Sequence, residues 1–133
     1  MNKAILITAA IFGITGIVLG AFAAHGLKQL LEPESLQTFE TGVKYQMYHA
    51  LFLLFVGSSD YISKNYRKTI FYLTLIGVIF FSGSIYTLAT NNLSGFNFKT
   101  IGFITPIGGL FLIISWVLLL ISFLKMGKDK SQN

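Results

Sequence analysis

From Ala4 to Ala24 the chain runs for 21 residues without a charged side chain. At about 1.5 Å of rise per residue, a helix of that length matches a hydrocarbon layer about 30 Å thick. Inside lipid no water is available to the backbone, so an isolated run of this kind must satisfy its N–H and C=O groups within itself, as a helix does. The pattern recurs: Ile70 to Ala89, and about Ile101 to Leu124, are again uncharged and of spanning length. A further segment, about Tyr45 to Ser59, is shorter and more polar.

This second segment reads as the continuation of a helix that starts outside the lipid near Ser35. Pro33-Glu34-Ser35 marks the start, and Leu36, Phe39, Val43 and Met47 follow at spacings of three or four residues. Glu40 and Lys44 make an i,i+4 pair suited to an exposed, interfacial helix face. The expected fold is therefore all-α, a four-transmembrane-helix bundle in one domain covering residues 1–133, with spans at about 4–24, 45–59, 70–89 and 101–124.

Composition agrees. Of the 133 residues 53% are hydrophobic and 11% charged, against about 45–50% and 25% in soluble proteins. No cysteine is present, which excludes disulfides, thiolate metal sites and thiol nucleophiles. The net charge of +5 comes from residues at the ends of apolar segments rather than from a basic patch with interleaved aromatics, so nucleic acid is not an expected partner. Lys3 and the Ala21-Phe22-Ala23 triplet resemble the flanks of a cleaved signal peptide, but the apolar run exceeds the usual core of about 7–15 residues. It is expected to stay as a span.

An even number of spans returns both termini and the middle loop to one side. That side carries Lys3, Lys64, Arg67, Lys68, Lys125, Lys128 and Lys130, and the other only Lys28, Lys44 and Lys99. The excess of Lys and Arg in short loops predicts cytoplasmic termini in a multi-pass protein of the cell membrane.

Two sets of residues stand out within the spans. Ala9, Gly13, Gly16, Gly20 and Ala24 recur every three or four residues, a small-residue stripe containing one G-x-x-x-G pair. Such stripes let helix backbones approach closely, either inside one bundle or between copies in a homo-oligomer. The second set is polar: His25, Gln46, His49, Ser82, Ser84, Tyr86 and Thr105. With the topology above, these residues gather toward the outer leaflet, where polar groups in lipid make a candidate ligand-binding site. The alternative is that they cap helix ends and bond neighbouring hydroxyls.

Little reactive chemistry is on offer. His25 and His49 are the only pair able to ligate a bis-histidine haem, and zinc would need further donors from Glu32, Glu34 or Glu40. Asp60 is the only acid near a span, which argues against proton-coupled transport by one subunit. No G-x-S-x-G, Walker loop or His-Glu-x-x-His occurs. No metal, cofactor or catalytic residue is expected, and the chain is not expected to be an enzyme.

The octapeptide Gly20-Ala21-Phe22-Ala23-Ala24-His25-Gly26-Leu27 resembles a motif of the small membrane proteins called domain of unknown function 423, which include the transmembrane protein 256 group. Thr41-Gly42 through Tyr45-Gln46 and His49-Ala50-Leu51, then Phe81 to Tyr86, then Thr105 to Gly109 are similar to that family's later motifs, in its order. Ala23 departs from the family's usual glycine. The resemblance implies a four-span membrane protein without an established activity, and marks His25, Gln46, His49, Ser82, Tyr86 and Thr105 as motif positions without assigning roles. Three functions follow as expectations. The first is a non-enzymatic module that binds membrane lipid, a small amphiphile or a partner protein. The others are an oligomeric channel or transporter, and a haem or quinone protein.

Overall fold

The computed structural model describes residues 2–93 and 102–132, the last six by backbone alone. Lys99 and the expected start of the fourth segment at Ile101 lie outside the described residues. Four long helices carry the fold: α1 (Asn2–His25), α2 (Pro33–Ser58), α3 (Lys64–Ala89) and α4 (Ile104–Gln132). Short 3-10 turns at Leu27–Gln29 and Asn91–Leu93 follow α1 and α3.

Local signals explain the helix starts. Pro33 occupies the first turn of α2, where a missing N–H costs nothing, and Glu34 adds a favourable negative charge at the same end. The helix begins two residues before the expected Ser35 and runs unbroken to Ser58, so the interfacial and apolar portions are one element. Ser59 and Ser63, both extended, bracket the turn into α3. Pro106 lies in the first turn of α4, among donors without intrahelical partners.

Asn2–Gln29, Lys64–Ala89 and Ile104–Met126 are long and apolar enough to cross a membrane. By the same measure α2 is not, since Glu34, Glu40, Lys44, Gln46 and His49 dilute it. The extensive interfaces follow chain order, α1 on α2, α2 on α3 and α3 on α4, so α2 and α3 form the middle of the assembly.

The face α1 turns to α2 is a seam of Ile5, Ala9, Phe12, Gly16, Leu19 and Ala23, spaced alternately by four and three residues as in left-handed helix pairs. This shifts the expected small-residue stripe. Gly16 lies beneath Met47 and Gln46, and Gly20 beneath Val43, whereas a Cβ added at Gly13 would meet nothing within 4 Å and Ala24 is exposed. The G-x-x-x-G pair thus faces α2 of the same chain. Elsewhere α1 exposes Ile7, Ile11, Ile14, Ile17, Val18 and Phe22, large side chains suited to lipid.

Two apolar clusters hold the interior. One, toward the α2–α3 loop, contains Ile5, Phe52, Leu53, Val56, Ile70, Phe71 and Leu119; the other, at the opposite end, contains Ala23, Leu27, Phe39 and Ala89. Lipid is as apolar as these side chains, so their contribution is close packing rather than escape from water. A polar layer lies between the two clusters.

Candidate functional site

The centre of the polar layer is Gln46. Its Nε2 donates to Phe12 O at 2.9 Å and to Thr15 Oγ1 at 2.7 Å, while its Oε1 accepts from Tyr86 OH at 2.7 Å. Thr15 in turn donates to Ile11 O at 2.8 Å. Both amide hydrogens and the carbonyl are engaged, so one buried side chain ties α1, α2 and α3 together. Ser82, 1% exposed, adds a bond from its Oγ to Gly42 O at 2.8 Å. Gly42 is required there: a Cβ would come within 2.7 Å of the Tyr86 ring and 3.0 Å of Ile85.

His49 faces the other way, toward α4. Trp116 Nε1 donates to His49 Nε2 at 3.1 Å, and His49 Nδ1 lies 2.7 Å from Tyr45 O. Indole is a donor only, so Nε2 must accept and Nδ1 carries the hydrogen that reaches the Tyr45 carbonyl. Rings surround the imidazole: Trp116, Phe52 and Tyr45 have centroids 6.2, 5.8 and 6.5 Å away. Near the start of α4, Ser84 Oγ and Thr105 Oγ1 share a 2.5 Å hydrogen bond that joins α3 to α4.

The seven polar candidates therefore do not form one outer-leaflet site. Gln46 meets Phe12 and Thr15 in the middle of α1, and Trp116 lies twelve residues, about 18 Å, beyond the start of α4. His25 ends α1, exposed, and about 15 Å further along the axis than Thr15. Depth assigned from distance to a loop fails here because α2 starts twelve residues before Tyr45 and carries Gln46 and His49 well into the assembly. The set resolves into separate interhelical fastenings, with His25 apart from all of them.

The haem reading does not fit this arrangement. Both ring nitrogens of His49 are engaged, leaving no lone pair for iron while the Trp116 bond stands, and His25 is at a different depth. The same bonds leave no free donor at His49 for a quinone carbonyl. Among the described residues no three of His, Asp and Glu are grouped to hold a metal ion.

What the fastenings leave open is a cleft of about 280 Å³ between α2, α3 and α4, lined by Tyr45, His49, Phe81, Gly109, Leu112, Ile113 and Trp116. Tyr45, Ile113 and Trp116 are exposed along it. A second groove of about 250 Å³ runs over Gln46 between α1 and α3, past Thr15, Ser82, Gly83 and Tyr86. Sequence reasoning misses Thr15, Tyr45 and Trp116. Trp116 does carry a visible signal: it is the only tryptophan, it lies within an apolar run, and an indole N–H among apolar side chains needs an acceptor.

Comparison with known proteins gives one consistent result. The family described as Protein of unknown function (DUF423) matches residues 19–109. A UPF0382 membrane protein of Staphylococcus saprophyticus is 36% identical over 124 residues, covering 93% of this chain and 99% of its own. The UPF0382 membrane protein YwdK of Bacillus subtilis is 38% identical, with 92% and 98% covered. The UPF0382 inner membrane protein YgdD of Escherichia coli is 33% identical, with 94% and 92% covered. No solved structure matches the chain.

Proposed function

The chain belongs to the DUF423 family of membrane proteins, and from that premise we propose that it is a four-span, non-catalytic module of the cell membrane that holds an apolar ligand in the cleft beside Trp116. The observation that carries this reading is the mismatch between that cleft's shape and its chemistry. Tyr45, Phe81, Leu112 and Trp116 wall a space of about 280 Å³, just under the usual ligand range of about 300–1,000 Å³. Its imidazole and indole nitrogens are already engaged, with each other and with the Tyr45 carbonyl. An occupant is then recognised by apolar fit, as an acyl segment or a small amphiphile would be. An imidazole engaged at both nitrogens is also poorly placed as a general base, which favours a binding role over an enzymatic one.

Supporting α2 as the fourth span, it lies against α1 and α3 along its length, from Gly57 on Ile5 and Leu6 to Val43 on Gly20. Gln46 and His49, in its apolar half, find partners inside the protein. The name of the E. coli relative places that protein in an inner membrane, in keeping with a cell-membrane location here. The small residues that raised a multi-copy channel, Gly16 and Gly20, pack on α2 instead, and the outward face of α1 is bulky.

Trp116 makes the cleft directly observable, because no other tryptophan contributes fluorescence. A bromo-fatty acid titrated into detergent-solubilised protein is expected to quench that fluorescence saturably. Gly109→Leu fills the cleft from a position where an added Cβ meets Phe81 only at ordinary contact, 3.5 Å, and should abolish the saturable component while the helix content stays unchanged. Equal saturable quenching in both proteins would remove the cleft as the binding site.

A further inference from the structure

At the end of the fold that carries Asn2 and the α2–α3 loop, a cavity of about 550 Å³ is lined by Asn2, Lys3, Lys64, Asn65, Arg67 and Lys68. Four of these six are cationic and none is acidic; Asp60, in the adjoining loop, is exposed and not in the lining. Lys3, Lys64 and Lys68 are exposed and make no hydrogen bond or ion pair among the described residues. Like charges gathered in this way repel one another unless an anion joins them.

Arg67 makes the cavity more than a patch of surface lysines. Only 8% exposed, it donates from Nη1 to Asn2 Oδ1 at 2.9 Å and from Nη2 to Ser59 O and to Ile62 O, the latter at 2.8 Å. Those bonds fix the guanidinium against the C-terminal end of α2, yet its Nε is buried without a partner and no carboxylate neutralises it among the described residues. The start of α3 adds to the imbalance. Ser63 makes no side-chain cap, the first turn holds no acid, and the backbone bonds begin only with Arg67 N to Ser63 O at 2.9 Å. The amides of Lys64, Asn65 and Tyr66 therefore lack intrahelical acceptors at the positive end of the helix dipole.

We propose that this cavity binds a phosphate-bearing anion, with the headgroup phosphate of an anionic phospholipid as the occupant favoured by its depth. The uncharged runs of α1 and α3 begin at Ala4 and, three residues after Arg67, at Ile70, so the lining cations stand where hydrocarbon gives way to headgroups. Arg67 positions the site from beneath, and the exposed lysines supply the movable charge.

The test uses the full chain in neutral detergent, titrated separately with short-chain phosphatidylglycerol, phosphatidylcholine and inorganic phosphate, read by thermal unfolding and native mass spectrometry. Phosphatidylglycerol is expected to raise the unfolding temperature and to stay bound as a discrete single adduct, whereas phosphatidylcholine does neither. Lys64→Gln with Lys68→Gln, both exposed and without bonds to lose, should weaken that binding roughly 30-fold. Lys28→Gln with Lys44→Gln, an equal charge loss at the other end, should leave it unchanged. Stabilisation by inorganic phosphate alone, abolished by the Lys64 and Lys68 changes, would identify a soluble phosphate in the same site. If neither phosphatidylglycerol nor phosphate exceeds phosphatidylcholine, or both double variants lose binding equally, the proposal is overturned.

Discussion

Gln46 shows what a single polar side chain does between packed helices. Three hydrogen bonds to three other residues engage both its amide hydrogens and its carbonyl, and in a membrane each such bond is worth about 0.6 kcal/mol on average. Gln46→Leu should therefore lower stability by roughly 2 kcal/mol, and Tyr86→Phe by less. The two losses should fall short of additivity in the double variant, since both remove the same bond. Reversible unfolding in mixed micelles measures this; strictly additive losses would mean that the Tyr86–Gln46 bond contributes nothing. Gln46 and Tyr86 are identifiable from sequence as family motif positions, but their partner Thr15 is not. Nothing in the spacing of α1 distinguishes that threonine from one that merely bonds its own helix.

The glycines differ at the scale of helix pairs. Gly108 brings α4 onto the backbone of α3: a Cβ there would collide with Phe81 N and come within 2.8 Å of Phe80 Cβ and 2.9 Å of Gly77 O. Backbone cannot yield as a flexible side chain can, so Gly108→Ala should cost about 1–3 kcal/mol and loosen α4. Gly13→Ala, facing open space, should cost nothing. Thermal unfolding of the two variants side by side in one detergent checks the contrast. A helix-periodic stripe in sequence does not make this distinction, because residues four apart drift around the helix while the partner's seam follows a seven-residue repeat. The drift explains why Ala9, Gly16 and Gly20 meet α2 and Ala24 does not.

Across the whole molecule, α2 is the element set apart, because its polar residues keep it below the hydropathy of the other three helices. Two of them, Gln46 and His49, bond to groups on α1, α3 and α4, while Glu34, Glu40 and Lys44 are exposed. If α2 crosses with cytoplasmic termini, Lys28 and Asp60, both exposed, lie on opposite sides. The chain has no cysteine, so Lys28→Cys and Asp60→Cys introduce single labels without background. In intact cells an impermeant maleimide should modify the first, and reach the second only after the membrane is opened. Labelling of both from outside would place α2 on the surface instead.

That the chain is helical and belongs in a membrane follows from its residues alone, because uncharged runs of spanning length have so few other solutions, and its ordered motifs point to the family. Which polar residues meet is set by how the helices pack. Position and face depend on how each helix turns against its neighbour: Gln46 and His49 meet the middle of α1 and of α4, while His25 lies at the end of α1. The same holds for charge. Lys64, Arg67 and Lys68 are equivalent in a count of basic residues, yet packing buries one as the fixed floor of a cavity and leaves the other two free at its rim.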